Sequence, residues 1–369
     1  MDARQILQTL LKEVDERKAS DLHVGPGFIP MLRLHGDLEP SKIGQPLTAE
    51  ETRNLAYFIM GEKVRARFEQ KNEVDLAFSV SGGPRFRVNI YTQRGLVNLA
   101  LRAIPSQIPT IPSLGLPSSV EKMADNRRGL ILVSGTTGSG KSTTLAAIVD
   151  QINVTRKAHI LTIEDPIEFV HKNKKSIVNQ RELGLDTSNY ADALRSAMRE
   201  DPNVILVGEM RDLETVSAAI TAAQTGHLVL STIHTTNTIQ IISRILDLYP
   251  PHQQAQVRLQ LAETLKGAIA QRLLPLADGS GRVAAQEIMV VTPHIQKAIE
   301  ENSLMDVYNA IRTGKFYGMQ TFNQAMVLLY NQGKIKLEEG MAAASNPEEF
   351  MLAVRGIEAG ANTPGFVPE

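Results

Sequence analysis

Apolar residues at the start of the chain recur three and four apart. Ile6, Leu7, Leu10, Leu11 and Val14 alternate with polar positions at that spacing and predict an amphipathic helix. Farther on the period shortens: Leu76-Ala-Phe-Ser-Val80 and Phe86-Arg-Val-Asn-Ile90 predict strands. Residues 1–103 therefore read as a small α+β module. The next stretch, 104–117, carries four prolines in fourteen residues, which remove backbone donors and favour an extended chain, so it reads as a linker. Between 118 and 275 short, continuously apolar runs (Leu130 to Ser134, Ile160 to Ile163, Val204 to Val207, Leu228 to Thr232) alternate with helical stretches. Such runs predict buried strands, and their alternation with helices predicts a parallel sheet covered by helices. Helical periods dominate 276–357. Residues 358–369 have turn-forming composition without periodicity and are expected to form a disordered tail.

Chemistry enters at the end of the first apolar run of the second block. Gly135-Thr136-Thr137-Gly138-Ser139-Gly140-Lys141-Ser142 fits the pattern G-x-x-x-x-G-K-[ST], directly after a predicted strand and before the helical run Thr143 to Ile148. Glycines let the backbone close around a phosphate, and loop N–H groups with the helix N-terminus supply partial positive charge. Lys141 is expected to reach the β- and γ-phosphates of ATP and the Ser142 hydroxyl to ligate Mg²⁺. Hydrolysis also needs carboxylates at the C-terminal ends of neighbouring strands. Val204–Val207 runs into Gly208-Glu209, and Glu209 is expected to bind Mg²⁺ through water or to orient the attacking water. Ile160–Ile163 runs into Glu164-Asp165-Pro166-Ile167-Glu168, a crowded acidic turn that a cation or solvent must relieve. His227 and His234 flank the strand Leu228–Thr232 and lie near its opposite ends, so they do not share a metal. His234, with Thr235 and Thr236, is on the side where a γ-phosphate is expected.

Composition narrows the partners. A formal net charge of −1, from 39 basic and 40 acidic residues, argues against a nonspecific nucleic-acid binder. The absence of cysteine excludes disulfides, thiolate metal sites and cysteine nucleophiles. The first residues read as an amphipathic helix rather than a secretory signal, and no run approaches the ~18 apolar residues of a membrane span.

Taken together, an ordered set of motifs resembles the type IV pilus retraction ATPases of the PilT/PilU family, within the secretion ATPase superfamily. The set is Ser20-Asp-Leu-His23, the loop 135–142, Thr162 to Phe169, Arg199-Glu-Asp-Pro202, Gly208 to Asp212, Thr225-Gly-His227 and His234-Thr-Thr236. The resemblance spans about residues 5–350. It implies a PAS-like N-terminal domain joined by a flexible linker to a RecA-like P-loop ATPase domain, with a helical C-terminal region. It also implies a homo-hexameric ring, ATP with Mg²⁺, an inner-membrane pilus platform protein as partner, and a cytoplasmic location at the inner membrane. By matching positions Glu209 becomes the atypical Walker B acid, Glu164 to Glu168 the acidic box, and His227 with His234 the histidine box. Arginines of the N-terminal domain are implied to reach the nucleotide. Arg87 and Arg102 match best, with Arg85 and Arg94 as alternates. The helix Thr292–Glu301 lacks the basic residue of the main branch's Ala-Ile-Arg motif, so a principal motor, an accessory or regulatory subunit beside a paralogous motor, and an extension or secretion ATPase all stay open.

Overall fold

The computed structural model describes residues 2–34, 36–79, 85–105 and 107–357. They divide into two compact units, residues up to 107 with the stretch 168–170, and residues 108–167 with 171 onward. Among the described residues no helix is long and apolar enough to cross a membrane.

The first unit is built on an antiparallel sheet. Its strands are β1 (Asp21–Val24), β2 (Met31–Leu34), β3 (Asp37–Pro40), β4 (Glu73–Ser79), β5 (Arg85–Gln93) and β6 (Leu96–Ile104). They lie in the order β3-β2-β1-β6-β5-β4, each pairing antiparallel. Alternation makes the sheet two-faced: Phe86, Val88 and Ile90 of β5 are fully buried, while Arg87 between them points out. The buried face packs on the helix Ala3–Arg17 through Ile6, Leu7, Leu10, Leu11 and Val14, and on Ala49–Ile59 through Leu55, Ala56 and Ile59. That second helix starts with a capping box in which Thr48 and Glu51 satisfy each other's backbone N–H. Arg94 and Gly95, both with positive φ (52° and 77°), form the two-residue turn that joins β5 to β6. The strand expected to end at Val80 is observed to Ser79; Val80 and Pro84 lie outside the described residues.

The second unit is built on β7 (Gly129–Ser134), β8 (His159–Glu164), β9 (Ile177–Glu182), β10 (Val204–Val207), β11 (Leu228–Ile233), β12 (Leu265–Pro275) and β13 (Arg282–Val290). Their order is β13-β12-β7-β11-β10-β8-β9, parallel from β12 to β9. Every residue of β7, β10 and β11 is buried, as a parallel sheet covered on both faces requires. Successive residues of β7 serve opposite cores: Leu130 and Leu132 pack with Leu194, Val216 and Ile220, whereas Ile131 and Val133 pack with Val120, Leu145 and Ile148.

Two expectations change here. Residues 276–357 were expected to be helical, yet Arg282–Val290 forms β13 and closes the sheet as an antiparallel edge on β12. Its Ala-Ala-Gln-Glu centre favours helix locally, but the glycine-containing turn at 278–281, with Gly279 at φ 73°, folds the chain back along β12 and the pairing wins. Beyond β13 the region is helical, from Pro293–Glu300 to Pro347–Val354. The proline-rich stretch is also only partly linker-like. The unit boundary falls within it, after Gln107, and Ile111 and Leu116 are buried against Val120 and Ile131 in the second unit's core. The segment 358–369, expected to be disordered, lies outside the described residues.

Candidate active site

The loop leaving β7 has the backbone that a phosphate cradle needs. Gly135 has φ 145°, and a Cβ there would lie 2.4 Å from Ser139 Oγ and 2.6 Å from the carbonyl of Gln271, so a side chain does not fit. Gly140, at φ 91°, turns the chain into the helix Lys141–Thr155. Lys141 Nζ donates to the carbonyls of Gly135 (2.9 Å) and Thr136 (3.0 Å), so the loop is wrapped around its own ammonium group. Thr136, Thr137 and Gly138 are exposed, Ser139 is buried, and Ser142 and Thr143 are half-buried in the first helical turn. That turn presents backbone N–H groups with no intrahelical partner and the positive end of a fifteen-residue helix.

The parallel register brings the acidic groups to the same edge of the sheet. Ser134 of β7 pairs with Ile233 of β11, Ser231 of β11 with Val207 of β10, and Val207 with Ile163 of β8. His234, Glu209 and Glu164 therefore emerge at the carboxyl ends of adjacent strands, beside the loop. His234 Nε2 lies 2.9 Å from Glu209 Oε1, and Arg211 Nε lies 2.6 Å from the same oxygen. The hydrogen bond to Glu209 raises the pKa of Arg211 above its ordinary value. Glu164 Oε1 accepts from the hydroxyl of Thr162 (2.6 Å) and from Gln180 Nε2 (3.0 Å). Backbone bonds lock the frame: Gly208 N–H to Ile163 (2.8 Å) and Met210 N–H to Thr232 (3.0 Å). The Tyr190 hydroxyl closes against Gly208, whose Cβ would lie 2.9 Å from it. Burial first, then the charges of Asp165, Glu209 and Glu164, push its pKa upward, so it stays a protonated donor beside the carboxylates.

Other expected site residues are placed elsewhere. His227 lies at the amino end of β11, where its Nδ1 is 3.0 Å from the carbonyl of Ala222; the strand puts it about 20 Å from His234. It is therefore not part of the loop's edge in its own subunit. Glu168 is exposed, follows the cis Asp165–Pro166 bond and groups with the first unit, so the acidic run is split, with Glu164 and Asp165 left in the second unit. Arg87 and Arg102 belong to the first unit and pair directly across β5 and β6. Arg102 Nε donates to Asp21 Oδ1 (2.8 Å), and Arg87 Nε lies 3.9 Å from Asp75. Arg85 stands two residues from Arg87 on the same strand, and Arg94 caps the hairpin turn roughly 20 Å along it. Sequence reasoning assigned no role to Arg211, Tyr190, Thr162 or Gln180. Arg211 and Thr162 belong to the motifs Gly208 to Asp212 and Thr162 to Phe169, whereas Tyr190 and Gln180 come to the edge through folding alone.

Among the described residues no group of three or more His, Asp or Glu could by itself hold a metal ion.

Comparison with known proteins identifies the family. The family model described as "Type II/IV secretion system protein" matches residues 3–341. The chain belongs to that family. Among relatives of this secretion ATPase, the type IV pilus retraction ATPase PilT of Pseudomonas aeruginosa is 47% identical over 350 residues, covering 95% of this chain and 100% of its own. The type IV pilus ATPase PilU of the same organism is 38% identical over 348 residues, covering 94% and 91%. A crystal structure of the pilus retraction motor PilT with bound ADP matches with a TM-score of 0.86 at 50% identity, over 92% of this chain and 96% of that one. The secretion ATPase fold, an N-terminal domain followed by an ATPase domain, is the fold observed here.

Proposed function

We propose that this secretion ATPase hydrolyses ATP as a homo-hexameric ring and powers type IV pilus retraction, and with it twitching motility, by driving an inner-membrane platform protein from the cytoplasmic side. The observation that carries the hydrolytic part is the His234–Glu209 contact of 2.9 Å at the strand ends next to the phosphate loop. The retraction part is supported by near full-length similarity to PilT, which exceeds that to PilU.

In this reading the loop 135–140 and the first turn of the helix hold the phosphates, and Lys141 moves from the loop carbonyls to the β- and γ-phosphates. Ser142, with Glu209 through water, would hold Mg²⁺, which neutralises phosphate charge. Glu209 and Glu164 orient water for in-line attack. His234 meets the γ-phosphate and reports its loss through the shared Glu209 oxygen. Arg87 and Arg102 reach the nucleotide from the first unit. Glu168 is assigned a supporting role only, and His227 none within its own subunit.

The test is ATP turnover by the purified protein, coupled to surface motility of a Pseudomonas strain that lacks its own retraction ATPase. Turnover with restored motility is expected. Turnover without motility overturns the retraction assignment and favours an extension, secretion or accessory role.

A further inference from the structure

The segment that follows His234 is anchored from behind by two residues of the β12–β13 hairpin. Arg272 is in β12, whose Ala270 pairs with Ser134 at the start of the phosphate loop. Its Nη2 donates to the carbonyl of Thr236 (3.4 Å) and its Nη1 to the carbonyl of Ala343. The guanidinium lies 4.0 Å over the ring of Phe322. Nearby, Thr238 donates its backbone N–H (2.9 Å) and hydroxyl (2.7 Å) to Glu287 Oε1 of β13. The same carboxylate accepts from the backbone of Phe322. Glu287 thus sits at the N-termini of two helices, Thr238–Leu246 and Phe322–Asn331, whose dipoles favour its charge. Phe322 and Ala343 belong to the C-terminal helices, and Thr236 and Thr238 to the segment after His234. One guanidinium and one carboxylate therefore span the nucleotide edge and the C-terminal region.

We propose that Arg272 is a positioning residue for hydrolysis: it holds the Thr235–Thr236 backbone so that His234 stays on Glu209, and it ties that segment to the C-terminal helices. The planar fork is what allows this. It donates in two directions while stacking on an aromatic ring, a combination that a lysine ammonium cannot reproduce. The inference rests on the hydrolytic reading of His234 given above.

The experiment uses the full chain with MgATP and compares Arg272→Gln, Arg272→Lys, His234→Gln and the two double variants. Turnover, affinity for a fluorescent ADP analogue and thermal unfolding are measured for each. Arg272→Gln and Arg272→Lys are each expected to lower kcat about tenfold while ADP affinity stays within about twofold. Each double variant is expected to be no slower than His234→Gln alone, because both changes remove the same interaction. Should Arg272→Gln unfold, Arg272→Lys, which keeps the charge, carries the test. Full activity in Arg272→Lys, or losses that multiply in the double variants, overturns the inference alone. Unaltered turnover in His234→Gln overturns the hydrolytic reading of His234 and the inference with it.

Discussion

The two sheets of this chain offer chemistry in different places. In the antiparallel sheet of the first unit one face is buried and the other is open, so functional side chains form a row across strands. Register places Arg33, Asp21, Arg102 and Arg87 side by side on β2, β1, β6 and β5. In the parallel sheet of the second unit both faces are buried along the central strands, and polar chemistry is crowded onto the carboxyl ends. A face tolerates exchange at single positions without loss of the core. An edge depends on strand register, because a one-residue slip in β10 or β11 would separate Glu209 from His234. The comparison thus predicts separable effects: changes at strand ends act on turnover, changes inside central strands on stability, and changes on the open face on neither core.

The largest effect is expected at the parallel edge. Lys141→Ala should lower ATP turnover by about a thousandfold or more, since it removes the cation that follows phosphate charge. Its thermal unfolding should match the parent, because the two carbonyls it donates to belong to its own loop rather than to the packed core. A large fall in melting temperature would break the distinction between edge and core. Next comes Leu132→Ala in β7, a fully buried position that packs beneath the helices of one face. It should cost about 2–5 kcal/mol in denaturant unfolding. A negligible cost would mean that the central strand is not the packed element described.

How far the sequence alone conveyed this contrast depended on range. The loop 135–142 is a local pattern whose flanks are local too, so its place between β7 and its helix was readable. Glu164 was readable because it directly follows an apolar run, and Glu209 because only Gly208 separates it from one. The contact between Glu209 and His234 was not, since it depends on β11 lying next to β10 with matched register. His227 is the converse case: its place beyond the amino end of the strand was readable from the sequence, and only the family resemblance implied a site role for it. Arg272 and Glu287 were invisible for a third reason. They sit in a hairpin whose second strand has helix-favouring residues, and nothing local marks Thr236 or Phe322 as their partners.

The open face gives a smaller and more discriminating test. Arg87→Ala removes one of two arginines that face each other across β5 and β6, and its ion-pair partner Asp75 is 3.9 Å away and exposed. Stability should change by less than about 0.5 kcal/mol. Turnover should nevertheless fall if the first unit's arginines reach the nucleotide. Unchanged turnover in both Arg87→Ala and Arg102→Ala would remove that assignment and leave the row as a solvated surface.

The smallest effect separates the units by pH. In the first unit Glu13 is held below the usual carboxylate range. Burial works against its charge, but the Ser41 hydroxyl (2.6 Å), the Lys42 backbone N–H (3.1 Å) and Arg17 (3.0 Å) outweigh it. A folded-state pKa below the unfolded value means that this contribution is fully present above the ordinary value of 4.5 and is lost as pH falls through the folded value. Glu287 in the second unit has the opposite sign: burial raises its pKa, so its cost grows as pH rises past 4.5 and is relieved in acid. Acidification should therefore loosen the first unit while Glu287 resists loosening of the second. Amide hydrogen exchange between pH 6 and pH 3, corrected for intrinsic rates, reads the two separately. Glu13→Gln should cost about 1–2 kcal/mol near neutral pH, confined to the first unit, and should flatten that unit's acid response. An acid response unchanged by Glu13→Gln would mean that another carboxylate of the same sheet, with Asp21 beside Arg102 the foremost, sets the acid limit of the open-faced unit.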